Sequence, residues 1–98
     1  MTYLKTALNY VKTLGNLLPA EKMLILYLIY RLDEPEKGVA MSSDKLGKAI
    51  NLSSRTIQRN INNLKERKVI EVRKTLAANG MIEANTYFLP GWEDYNDG

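Results

Sequence analysis

Arg55, Gln58, Arg59, Asn62 and Asn63 lie within nine residues of one another. All five end in planar groups that hydrogen-bond in pairs. A guanidinium can fork onto guanine O6 and N7, and an Asn or Gln amide can pair with adenine N6 and N7, each good match discriminating by about 1 to 3 kcal/mol. At the helical repeat of about 100° per residue, Ile57, Ile61 and Leu64 share one face, and Arg55, Arg59, Asn62 and Asn63 share the opposite one. A helix that is polar only for solubility favours Glu–Lys pairs at i,i+4. This run has Arg, Gln and Asn instead, which is the chemistry of reading base edges.

The surrounding charge agrees. Residues 42 to 74 hold nine bases and three acids, a net +6, whereas residues 1 to 41 sum to +1 and residues 75 to 98 to −4. A local basic excess of this kind is the footprint of a phosphate-binding surface. The same stretch contains no Phe, Trp or Tyr, so it lacks the stacking platforms that single strands require, and the expected ligand is double-stranded DNA.

Other functions are excluded by composition. With no Cys and no His in 98 residues, there are no disulfides, no thiolate or imidazole metal sites and no nucleophile–histidine pair. No two carboxylates are forced into one cleft, so neither enzyme activity nor a cofactor or metal is expected. The start, MTYLK, lacks the layout of a signal peptide, and the longest apolar run, Met23 to Tyr30, is far below the roughly 18 residues of a membrane span. A cytoplasmic protein with no membrane contact is expected.

Local signals place the elements. Thr2 caps a first helix with apolar residues Tyr3, Leu4, Ala7, Leu8, Tyr10, Val11 and Leu14, and Gly15 ends it. Pro19 opens a second helix, Ala20 to Leu32, that is apolar on every side and stops before Asp33-Glu34-Pro35. Gly38 to Met41 forms a short strand. Ser42 or Ser43 then caps a third helix carrying Leu46, Ala49 and Ile50 on its inner face. Asn51 closes that helix in the left-handed conformation, and Ser53 caps a fourth that runs to about Lys68. Val69 to Thr75 and Ala84 to Leu89 are strands joined through Asn79-Gly80, a register that pairs Val72 with Tyr87 and Ile70 with Leu89 on one face. Helix, short turn and helix is the arrangement that presents its second helix to the major groove. Counting Ser43 as position one, Gly47 falls at position five, Asn51 at nine and Ile57 at fifteen, where such motifs place a small residue, a left-handed turn residue and a core aliphatic.

On these residues the stretch from Ser42 to Leu89, about half of the chain, resembles a winged helix-turn-helix domain. KLGKAINLSSRTIQRNINNLKERKVIEVRK followed by NTYFL is similar to the helix-turn-helix and wing of plasmid and phage replication proteins and bacterial regulators. The resemblance implies a mainly α fold with a small β-wing. It implies Ser53 as the cap of the recognition helix, Ser54, Arg55, Thr56, Gln58 and Arg59 as its exposed start, and Val69 to Lys74 as the first wing strand. Lys45, Lys48, Arg73 and Lys74 flank that helix and suit phosphate more than bases.

One departure from the family concerns the wing. From Thr75 to Thr86 there is no base and one acid, Glu83, with Leu76, Ala77, Ala78, Met81 and Ile82 in place of a cationic tip. That tip is expected to contact protein rather than the minor groove. The expectation is one domain, residues 1 to 90, with an extra N-terminal helix over 1 to 15, followed by a disordered acidic tail over 91 to 98 in which Trp92 packs loosely. The breadth of the apolar surface on the first two helices leads to an expected homodimer through that region. The function expected is sequence-specific duplex-DNA binding, in transcription regulation or at an origin in plasmid or phage replication, partition or conjugative transfer. The alternative is a winged helix used mainly as a protein-interaction module in a replication assembly.

Overall fold

A computed structural model describes the backbone of residues 2–76 and 82–97 and the side chains of residues 4–74 and 85–96. Five helices, α1 (Thr2–Thr13), α2 (Pro19–Arg31), α3 (Ser43–Ile50), α4 (Ser54–Glu66) and α5 (Pro90–Asp97), pack with three strands, β1 (Val39–Met41), β2 (Glu71–Leu76) and β3 (Ile82–Phe88). The strands form an antiparallel sheet in the order β1-β3-β2. Helix-turn-helix α3–α4 followed by the β2–β3 hairpin makes this a winged helix-turn-helix fold.

The ends of the elements follow the local chemistry of the sequence. Gly15 takes a φ of 79° after α1, a conformation that strains residues bearing a Cβ. Pro19 occupies the first turn of α2, where its missing N–H costs nothing. Glu21, the third residue in, reaches back to accept the Leu18 N–H at 2.9 Å, which explains why a carboxylate is buried there. Between α2 and β1 the chain makes one 3-10 turn over Pro35–Lys37.

The core runs from α1 through α2 to α4 and the sheet. Leu24, Ile25, Leu28 and Ile29 of α2 are sealed against Ala7, Tyr10 and Val11 of α1 on one side and against the Leu46, Ile57, Ile61 and Leu64 cluster on the other. A single copy of the chain therefore covers most of α2. Its remaining apolar residues, Met23 and Tyr30, stay exposed, as do Leu4 and Leu8 of α1.

The hairpin register is the one read from the sequence, with Val72 opposite Tyr87, and it shifts by one residue between Thr75 and Leu76. Tyr87, Ile70 and Leu89 are buried and Val72 packs partly against them. The Asn79-Gly80 turn lies outside the described residues, as do Ala77, Ala78 and Met81 and the side chains of Leu76 and Ile82.

Three expectations need correction. Ala49 is exposed rather than on the inner face of α3, because that helix buries Leu46 and Gly47 and Ala49 falls outside the arc they define. α4 ends at Glu66, since Arg67 forms its cap and Lys68 turns left-handed at φ 62°. The largest change is at the C-terminus, where residues expected as a disordered tail form α5 with Trp92 fully buried. The Trp92 ring lies 5.5 Å from that of Tyr10, and the Tyr95 ring packs 5.4 Å from Tyr10 as well. A Cβ at Gly91 would sit 2.7 Å from the Tyr10 hydroxyl oxygen, so a larger residue there would have to push the tip of the Tyr10 ring aside for α5 to approach α1 this closely. Burial also pushes the Tyr10 hydroxyl above its ordinary pKa.

Two stability measurements follow. In an exposed helix interior Gly→Ala gains about 1 kcal/mol, but a Cβ on Gly47 runs into the Leu52 backbone carbonyl. Gly47→Ala is therefore expected to lose about 1 to 3 kcal/mol in urea unfolding followed by circular dichroism. Trp92→Ala is expected to cost about 3 to 5 kcal/mol in the same assay, and the wild-type fluorescence of this single tryptophan should be blue-shifted until the chain unfolds. Emission at the wavelength of free tryptophan in the native protein would contradict the docking of α5.

Candidate nucleic-acid interface

The α3–α4 corner begins with capping. Ser42 caps α3, its hydroxyl accepting the Lys45 N–H at 3.2 Å. Asn51 closes the helix at φ 61°, ψ 45°, and the Leu52 N–H returns to the Gly47 carbonyl at 2.8 Å. Two residues later Ser53 caps α4, accepting the Thr56 N–H at 3.1 Å and donating to the Thr56 hydroxyl at 3.0 Å. Such caps satisfy backbone donors that the first turn of a helix cannot pair internally.

Two side-chain bonds then tie the first turn of α3 to α4. The Ser43 hydroxyl donates to Gln58 Oε1 at 3.0 Å, and the Ser54 hydroxyl donates to the Asp44 carboxylate. At the far end of α4, Arg67 donates to the carbonyls of Asn16 at 2.7 Å and Leu14 at 2.9 Å, which anchors the helix to the α1–α2 connection. The orientation of α4 is thus held at both ends.

Ser53, Ser54 and Gln58 of the expected set have structural hydrogen bonds, and Thr56 is half-buried beneath the cap. Arg55, Arg59, Asn62 and Asn63 stand together on the exposed face of α4. Among the described residues, none of the four side chains makes an ion pair or a hydrogen bond. Lys45 and Lys48 are exposed on α3, again without an ion pair among the described residues.

The two wing bases differ from each other. Arg73 bonds the Glu71 carboxylate twice, both at 3.0 Å, and its guanidinium lies 4.5 Å above the Phe88 ring, so its charge is largely offset by its neighbour. Lys74 is exposed and, by the alternation of a strand, lies on the opposite face of the hairpin. The structure brings ten of the twelve expected residues to the α3–α4 corner and leaves Arg73 and Lys74 divided between two faces.

Sequence reasoning missed Ser43 and Asp44 as the groups that hold Gln58 and Ser54. It also missed Asn60, which is buried with an amide nitrogen that finds no partner among the described residues. The signal for Asn60 was present, because 57, 60, 61 and 64 follow the i, i+3, i+4, i+7 spacing of a core stripe.

No family model and no curated protein matches the chain. Among solved structures it is similar to a possible transcriptional regulator from Methanosarcina mazei Go1, with a TM-score of 0.57 and 19% identity over 91% of this chain and 75% of that one. At that identity the likeness shows a shared fold, and the fold is the winged helix-turn-helix.

Proposed function

We propose that the chain binds duplex DNA sequence-specifically and without catalysis, as a regulator of transcription, with α4 in the major groove. The observation that carries this reading is the exposed face of α4, where Arg55, Arg59, Asn62 and Asn63 are unpaired among the described residues while the helix is clamped at both ends. Because the helix is already fixed, each free donor that bonds a base edge costs only the ordering of its own side chain, about 0.5 to 1.5 kcal/mol. The similarity to a possible transcriptional regulator supports the same reading. Lys45, Lys48 and Lys74 are assigned to phosphate.

The clamps also define what two of the residues offer. Ser43 takes one of the two lone pairs of the Gln58 carbonyl, so Gln58 presents its amide N–H groups most freely and suits an acceptor such as guanine O6 or thymine O4 better than the donor–acceptor pair of adenine. The Ser54 hydroxyl donates its hydrogen bond to Asp44, which leaves its oxygen lone pairs to accept one.

Electrophoretic mobility shifts on a selected site test the assignment. Neutralising about four phosphates per subunit gives a slope of log affinity against log salt near −4. Arg55→Ala and Arg59→Ala are each expected to cost about 1 to 3 kcal/mol on the selected site and less on random duplex, whereas Lys48→Ala weakens both alike. Arg73→Ala, which removes a charge already offset by Glu71, should cost less than Lys74→Ala. If both α4 arginine variants keep full discrimination, the base-reading role of α4 is wrong.

Freeing Gln58 gives a separate expectation. Ser43→Ala should broaden preference at one position of the site, admitting adenine, while total affinity stays within about threefold. Site selection with the variant and the wild type reads this directly.

A further inference from the structure

The second apolar surface of the molecule lies away from α4, on α1 and α2. Met23, Leu26, Tyr27 and Tyr30 repeat at i, i+3, i+4 and i+7, which makes a continuous stripe along a helix. Met23 is 52% exposed and Tyr30 76%, with Leu26 and Tyr27 packed only in part on the core. Beside the stripe runs a groove between the two helices, lined by Leu8, Val11, Lys12, Gly15, Lys22 and Leu26. Leu8 and Leu4 of α1 continue the apolar surface beyond it, 46% and 55% exposed.

Lys12 and Lys22 line the groove without an acid, whereas Asp33 stands beside Tyr30 and Arg31 at the far end of the stripe. Lys5, Lys12, Lys22 and Arg31 are exposed on α1 and α2 and form no ion pair among the described residues. The one acid on these two helices, Glu21, is buried and already bonded to the Leu18 N–H. We infer that the α1–α2 groove docks an amphipathic helix of a partner protein, its apolar stripe on Leu8, Leu26 and Met23 and its flanks acidic, facing Lys12 and Lys22.

The two competing occupants fit less well. A symmetric second copy seated on the groove would present the same lining to itself, setting Lys12 and Lys22 against like charges with no acid in the groove to meet them. Nucleic acid would find the lysines, but its phosphates gain nothing from the apolar floor between them. A helix laid in a groove uses both features, since the apolar contacts supply affinity and the charges select the partner. This inference stands independently of the role assigned to α4.

The test uses the full chain and two synthetic helical peptides of about 14 residues, four turns long. Both carry Leu at i, i+3, i+4 and i+7, one with Glu and the other with Lys on the flanks. Fluorescence anisotropy is expected to show binding of the Glu peptide at least about tenfold tighter than the Lys peptide. Lys12→Glu with Lys22→Glu should reverse that order, and Leu8→Ser with Met23→Ser should weaken the Glu peptide by about tenfold or more. All four positions are exposed, so circular dichroism should show an unchanged fold. Equal binding of the two peptides, or no binding of either at about 100 μM, overturns the inference. So does light scattering that shows a dimer which Leu8→Ser with Met23→Ser dissolves, because a second copy then occupies the groove. Loss of duplex-DNA affinity in the Lys12→Glu, Lys22→Glu variant, with no change in peptide binding, would assign the face to nucleic acid instead.

Discussion

The approach of α3 to α4 at Gly47 is the constraint on which the rest of the corner depends. The Leu52 N–H must reach the Gly47 carbonyl at 2.8 Å, and the Leu52 carbonyl occupies the space where a Cβ on residue 47 would be. That contact requires the chain to reverse within three residues, which is possible because Asn51 accepts a left-handed backbone. Ser53 then restarts a helix at once. Each of these choices is local, but together they determine which side of α4 is buried. Once Ile57, Ile61 and Leu64 are committed to the core, Arg55, Arg59, Asn62 and Asn63 can only face outward.

The polar residues of α4 divide by what the structure has already done with their hydrogen-bonding capacity. Ser53, Ser54 and Gln58 have part of theirs used by α3 or by their own helical turn. The arginines and the two exposed asparagines have none used among the described residues. Asn60 stands apart, since it is sealed in the core beside aliphatic side chains with its amide nitrogen unpaired among the described residues. A buried donor without a partner costs about 1 to 3 kcal/mol, so the α4 stripe carries a fault that an aliphatic at this position would not introduce. Faults of this kind are expected where a sequence answers to something besides stability.

Much of this was legible in the sequence because the signals are local. Caps at Ser42 and Ser53, the stop at Asn51 and the stripe on α4 each depend on residues a few positions apart, and the pairing of Val72 with Tyr87 joins strands that follow one another in the chain. What was not legible depends on distant partners. Trp92 and Tyr95 look like part of an acidic end until Tyr10 is placed beside them, and nothing near Gly91 announces that the Tyr10 hydroxyl will lie against it. Arg67 counts as one more base on a basic stretch, yet it is spent on the carbonyls of Leu14 and Asn16, more than fifty residues away. For Arg73 the Glu71 partner two residues earlier was a local signal, and only the Phe88 ring beneath its guanidinium comes from another strand. For the candidate site the consequence is specific: residue types put the donors on the exposed face of α4, but only the tertiary contacts show which of them are unpaired among the described residues.

α2 explains how a chain this short carries two unlike surfaces. Its inner residues join α1 and the α3–α4 pair in one core, so one central helix separates the polar face of α4 from the apolar, lysine-rimmed one. Because α2 is apolar on nearly every side, its helix needs little from the polar chemistry that stabilises an exposed helix. Its one acid is used at the N-terminus, where it caps a backbone donor and suits the helix dipole. That arrangement has an electrostatic consequence. With its only carboxylate buried on the Leu18 N–H, α1 and α2 expose Lys5, Lys12, Lys22 and Arg31, while the exposed acids are spread over the α2–β1 loop, α3, α4, β2 and α5. The basic character of the outer face therefore comes from those four side chains, and the buried cap that starts the central helix adds no exposed acid to oppose them.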